Sequence, residues 1–154
     1  MPAFHDAQGH RLRTGRHSEI GRTYLLTTVV KEREPIFRNW QLGRLLVSGM
    51  RDEALTGQIQ SLAWVIMPDH LHWLVELNAG KLDALMRRVK SRSALALNRL
   101  TGRTGPLWQP GYHDHAVRQE EDLRAVARYV VANPLRAGLV KQIGDYPLWD
   151  AVWL

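Results

Sequence analysis

Trp64-Val65-Ile66-Met67-Pro68-Asp69-His70-Leu71-His72-Trp73-Leu74-Val75-Glu76 decides how this chain folds. Two apolar runs flank a Met-Pro-Asp turn, a spacing that predicts an antiparallel hairpin with strands over Ile59–Met67 and from His70 onward. Strand side chains alternate between faces with a period of two. His70 and His72 are therefore expected on one face with Leu74 and Glu76. Leu71, Trp73, Val75 and Leu77 are expected on the other, toward a core. Two imidazoles on one strand face can converge on a single divalent metal. The ordinary alternative is two polar residues on the solvated side of a sheet, and a second element far down the chain weighs against it.

That element covers residues 120–134, Glu-Glu-Asp-Leu-Arg-Ala-Val-Ala-Arg-Tyr-Val-Val-Ala-Asn-Pro. Leu123, Val126, Ala127, Val130 and Val131 recur at i, i+3, i+4, i+7 and i+8, the stripe of an amphipathic helix. Acidic residues at its start suit the positive end of the helix dipole. Pro134 disfavours helical geometry at Asn133, so the helix is expected to end about there. Tyr129 projects off the centre of the apolar stripe, and Asn133 lies one turn later on the same flank. A phenol and a carboxamide thus face the same way from a packed helix.

The rest of the chain falls into place around these two. Tyr24-Leu25-Leu26-Thr27-Thr28-Val29-Val30 is rich in β-branched and aromatic residues and reads as a strand. Trp40, Leu42, Leu45, Leu46 and Met50 predict a helix over residues 38–54. Leu82, Leu85, Met86, Val89 and Leu97 predict another over residues 82–99. Residues 112–118 fit a short final strand, and Tyr146, Trp149 and Trp153 in the tail are expected to cap the core. The order is strand, helix, strand, strand, helix, strand, helix. It predicts an α+β fold of split β-α-β type, an antiparallel sheet with helices on one face. Residues 1–154 are expected to form a single domain, with residues 1–22 as a basic arm carrying Arg11, Arg13, Arg16 and Arg22.

Of the 154 residues, 45% are apolar, a globular composition. The net charge of +6 and the pI of about 10.2 are the footprint expected of a nucleic-acid binder. Over residues 81–103, seven basic residues stand against the single acid Asp83, an excess equal to that of the whole chain. Solvated helix faces normally mix signs, so phosphate contacts are expected here, mainly from Arg87, Arg88, Lys90 and Arg92. Trp108, in a loop, is the best base-stacking candidate among six tryptophans; the others are expected in the core. The absence of cysteine excludes disulfides, thiolate catalysis and cysteine-ligated zinc. No apolar run approaches membrane-spanning length and residues 1–16 lack a signal-peptide core, so a cytoplasmic, nucleoid-associated protein is expected.

Three ordered segments carry a family resemblance. His70-Leu71-His72, after Val65-Ile66-Met67-Pro68-Asp69, resembles the His-hydrophobic-His strand of the HUH single-strand nucleases. Trp108-Gln109-Pro110-Gly111-Tyr112-His113-Asp114-His115-Ala116-Val117-Arg118, followed by Tyr129-Val130-Val131-Ala132-Asn133-Pro134-Leu135-Arg136-Ala137-Gly138-Leu139-Val140, looks like the REP-associated tyrosine transposases. These are domesticated relatives of the smallest insertion-sequence transposases. The resemblance covers about residues 13–149 and implies a ferredoxin-like fold with a C-terminal catalytic helix. It implies Tyr129 as nucleophile and Mg²⁺ or Mn²⁺ held by His70 and His72. Asn133 matches the residue that completes the metal site, often Gln in the transposases proper. Gly15-Arg16-His17-Ser18 resembles the region that reads a short tetranucleotide beside the hairpin, which adds Arg13, Arg16 and His17 to the nucleic-acid candidates. Arg118 joins them from the second segment. Single-stranded DNA hairpins of repetitive extragenic palindromes (REP) are the implied partner, with a monomer favoured over a homodimer.

The chemistry agrees with the resemblance. A tyrosine hydroxyl has a pKa of about 10 and is a poor nucleophile at neutral pH without help. A divalent cation on the scissile phosphate offsets its charge and orients it. Attack by Tyr129 would give a 5′-phosphotyrosine and a free 3′-hydroxyl, a transesterification that needs no ATP. Rival arrangements exist. His113 and His115 form a second His-x-His pair, expected to be structural or to support a ligand, and Glu76 reads as a surface carboxylate. The competing functions are a hairpin-binding regulator that does not cut and, further off, a small metallohydrolase.

Overall fold

The computed structural model describes residues 18–118 and 122–153. Pro68 and Asp69 close a two-residue hairpin between β2 (Ile59–Met67) and β3 (His70–Leu77), with Met67 opposite His70. Two backbone hydrogen bonds pin the turn from outside: Phe37 N–H donates to Pro68 O (2.9 Å) and Val30 N–H to Asp69 O (2.8 Å). β1 (Thr23–Val29) pairs with the free side of β3, and β4 (His113–Ala116) with the far side of β1. β5 (Trp149–Ala151) pairs with β2, completing an antiparallel sheet in the order β4-β1-β3-β2-β5. The tail therefore does more than cap the core. Its three-residue strand was too short for alternation to reveal. A bulge lies between Ser61 and Ala63 of β2.

The long helices are α1 (Trp40–Leu55) and α2 (Leu82–Thr101), close to the expected spans. Asn39 caps α1 by accepting from Gln41 N–H (3.0 Å). The first N–H of α2 is satisfied from far away, donating to Ser18 Oγ (3.0 Å). Both helices pack over the sheet face that carries Leu71, Trp73, Val75 and Leu77, all fully buried or nearly so. Each such side chain contributes roughly 1.5–3 kcal/mol by leaving water. A bidentate pair joins the two helices: Arg88 Nε and Nη2 donate to Glu53 Oε1 at 3.0 and 2.8 Å, and Glu53 is 4% exposed.

α3 (Leu123–Val131) is capped by Asp122, whose side chain accepts from Arg124 N–H (2.9 Å). Pro134 does not end the helical path. After a kink at Ala132, α4 (Asn133–Arg136) adds one more turn, with Pro134 in its first turn where no N–H is needed. α3 contacts β2, β3 and β5. By register, Leu25, Ala63, Val65 and Leu74 share the histidine face, and all four are buried. Leu74 lies on the histidine face as alternation predicts, in a part of that face that is buried, and α3 packs against β2 and β3. Among the described residues no helix is long and apolar enough to cross a membrane.

Candidate functional site

β3 presents His70 and His72 on one face, with ring centroids 4.8 Å apart and the rings nearly perpendicular. Register brings two more groups beside them. Thr27 of β1 lies opposite His72, and the same Thr27 lies opposite His113 of β4. Each imidazole is held from behind. His72 Nδ1 hydrogen-bonds Thr27 Oγ1 at 2.8 Å, and His70 Nδ1 hydrogen-bonds Asp69 Oδ1 at 2.6 Å. Asp69 is met in turn by Arg33 Nη1, which donates to Oδ2 at 3.4 Å.

The electrostatics follow from burial and neighbours. Burial, then the positive charges of His70, Arg136 and His113, push the His72 pKa down to about 3, so this ring is neutral at ordinary pH. Burial pushes Asp69 upward, but the hydrogen bond from His70 and the charges of His70 and Arg33 outweigh it and hold the carboxyl below its ordinary value. A neutral imidazole with Nδ1 engaged offers Nε2 to a metal, and a carboxylate behind a ligating histidine fixes its ring and raises its basicity. The donor set of His70 and His72 therefore fits a divalent ion. Among the described residues, no group of three His, Cys, Asp or Glu could hold one. A third protein ligand would have to be another donor type, such as the Asn133 carboxamide. Asn133 Nδ2 donates to Val130 O (2.8 Å), which leaves its side-chain oxygen as the acceptor to offer.

Arg136 lies against Tyr129. The Arg136 guanidinium carbon lies 3.8 Å from the Tyr129 ring centroid, and Nη2 donates to Tyr129 O at 2.7 Å. The same guanidinium is among the charges that depress His72. One side chain thus touches the tyrosine and acts on the histidine face.

The expected nucleic-acid residues divide sharply. Arg13, Arg16 and His17 lie outside the described residues. Trp108 is not a stacking platform: it is 6% exposed, its ring sits 5.6 Å from that of Phe37, and its Nε1 donates to Ser93 Oγ (3.0 Å). Arg88 is engaged by Glu53. Lys90 Nζ donates to the carbonyls of Gln109 and Gly111 at 2.8 and 2.6 Å, and Arg92 pairs with Asp52. Arg87 is exposed and lines a cleft of about 380 Å³ with Asp83, Met86, Lys90, Ser91, Gly111 and Tyr112. Arg118 is exposed just past β4, at the edge of the sheet. Sequence reasoning left out Thr27, Asp69, Arg33 and Arg136. Asp69 was visible beside His70, whereas Thr27 lies 45 residues from its partner and needed the register.

A family model described as "Transposase IS200 like" matches residues 21–133, a span that contains the hairpin, both histidines and Tyr129. The chain belongs to this family. A REP-associated tyrosine transposase of Escherichia coli (strain K12) is 33% identical over 87 residues, covering 55% of this chain and 50% of that protein. A solved structure of a REP-associated tyrosine transposase bound to a REP hairpin is similar in fold. Its TM-score is 0.68 at 27% identity, over 87% of this chain and 79% of the other. The chain spans about half the length of the curated relatives it matches.

Proposed function

We propose that this chain is a metal-dependent single-strand DNA endonuclease and strand transferase that acts on REP-type hairpins through a 5′-phosphotyrosine on Tyr129. The observation that carries the reading is the convergence within one chain: α3 packs on the histidine-bearing face, and one guanidinium both covers Tyr129 and acts on His72. One chain would then supply every group of the reaction, the arrangement expected of a monomer. The solved relative bound to a REP hairpin supports the partner.

His70 and His72 would hold Mg²⁺ or Mn²⁺, with Asn133 as the third ligand. The ion would offset the charge of the scissile phosphate. Thr27 and Asp69 keep the two rings oriented, and the buried setting of His72 keeps that ring unprotonated. Tyr129 supplies the nucleophile. Its attack exchanges one phosphodiester for another, so the released 3′-hydroxyl can reverse the step or a second strand can complete it. The substrate is single-stranded at the cut, since a paired duplex would bar the phosphate from a site set on a sheet face. Arg87, Arg118 and the basic residues 11–22 are the contacts best suited to the flanking backbone.

Incubation with a labelled synthetic REP hairpin and Mn²⁺, followed by a denaturing gel, tests this directly. A covalent protein–DNA band is expected with the wild type, and Tyr129→Phe should lower it by more than about 10³-fold. Binding without a covalent band would make the chain a hairpin-binding regulator. Binding that is absent or indifferent to salt would remove DNA from the account altogether.

A further inference from the structure

Arg33, beside the histidines, pairs with Asp69, whereas no carboxylate among the described residues pairs with Arg136. Its position comes from the turn added after Pro134. Arg136 N–H donates to Ala132 O (3.1 Å) and Ala137 N–H to Asn133 O (2.9 Å), and Gly138 at φ +73° ends the turn. Seven residues on from Tyr129 is two helical turns, so the guanidinium folds back over the phenol ring with its fork still exposed to solvent. This cation on the π face of Tyr129 meets no carboxylate among the described residues and donates to one carbonyl.

We propose that Arg136 is a catalytic residue whose guanidinium binds a non-bridging oxygen of the phosphodiester that Tyr129 attacks. The inference rests on Tyr129 being the nucleophile and adds an anion-binding group to that site. In the step, the Tyr129 Oη–P bond forms as the P–O3′ bond breaks. The phenolic proton leaves to solvent and the departing 3′ oxygen takes one up, so nothing is oxidised, reduced or hydrolysed. Negative charge grows on the non-bridging oxygens in the transition state. A planar fork already fixed beside the nucleophile meets that charge with little reorganisation. Stacked on the ring, the guanidinium also sets the direction in which the hydroxyl points.

The test compares Arg136→Gln and Arg136→Lys with the wild type on a synthetic REP hairpin with Mn²⁺, reading the initial rate of covalent adduct formation. Arg136→Gln should slow it by about 10²–10³-fold. The hairpin Kd should stay within about threefold, since the contact matures in the transition state. Arg136→Lys should recover part of the loss, as a point charge lacking the fork. The decisive arm replaces the scissile phosphate by a methylphosphonate, which removes the charge that Arg136 would neutralise. On that substrate the gap between wild type and Arg136→Gln should shrink to less than about tenfold. Equal rates on the ordinary phosphate overturn the proposal, as does an equal deficit on both substrates, which would mean Arg136 merely packs on Tyr129. A wild type that forms no adduct at all instead overturns the tyrosine-nucleophile reading, and this inference with it.

Discussion

The histidine-bearing face of β3 and the cationic face of α2 are built on different principles. On β3 the backbone pleat sets both imidazoles, and single neighbours, Thr27 and Asp69, hold their Nδ1 atoms. Among the described residues no hydrogen bond engages their Nε2 atoms, so these stay available for an outside group. On α2 the long flexible cations find partners within the fold: Arg88 with buried Glu53, Lys90 with two carbonyls, Arg92 with Asp52. A short, stiff side chain keeps the direction its strand gives it. A long one goes wherever an acceptor lies within reach, and that acceptor can belong to the protein itself.

Five substitutions would sharpen or break this contrast. The largest effect belongs to the histidine face. His72→Ala should reduce covalent adduct formation by at least about 10²-fold, with Asp69→Asn lowering Mn²⁺ affinity by about tenfold through His70. Electron paramagnetic resonance of bound Mn²⁺ reads the second directly. Unchanged Mn²⁺ binding in both variants would remove the metal from β3.

An intermediate effect is expected between the helices. Arg88→Ala strands the Glu53 carboxylate in a buried place and should lower stability by about 2 kcal/mol, seen as a lower urea midpoint at unchanged slope. If Arg88→Ala weakened hairpin binding while leaving stability intact, the pair would open on DNA and the contrast would fail.

The smallest effects lie on the exposed cations. Arg92→Ala should change stability by no more than about 0.5 kcal/mol, since an exposed ion pair contributes little. Arg87→Ala should leave the fold intact and reduce the salt slope of hairpin binding by about one. Equal changes in slope for Arg87→Ala and Arg92→Ala would show that the ion pair with Asp52 does not withhold Arg92 from phosphate.

Much of the fold was legible beforehand because its signals are local. The Pro68-Asp69 turn, the period-two run after it and the 3.6-residue stripes of α1, α2 and α3 each lie within a few consecutive residues. β5 escaped because three residues carry no measurable period. Alternation placed Leu74 correctly on the histidine face, but it does not say that part of that face is buried. Trp108 was misread because a loop position was taken as exposed, whereas Phe37 and Ser93, distant in sequence, enclose it.

The sequence by itself determined which chemical groups the candidate site offers: two imidazoles on one strand face, a phenol on a helix and a carboxamide just beyond its end. Only the tertiary structure decided who stands beside whom. Thr27 behind His72, Glu53 against Arg88, α3 laid over the histidine face and Arg136 folded onto Tyr129 depend on strand register, on how the helices pack and on a kink after Ala132. Periodicity is fixed by local backbone geometry, while the meeting of side chains tens of residues apart is fixed by how whole elements pack.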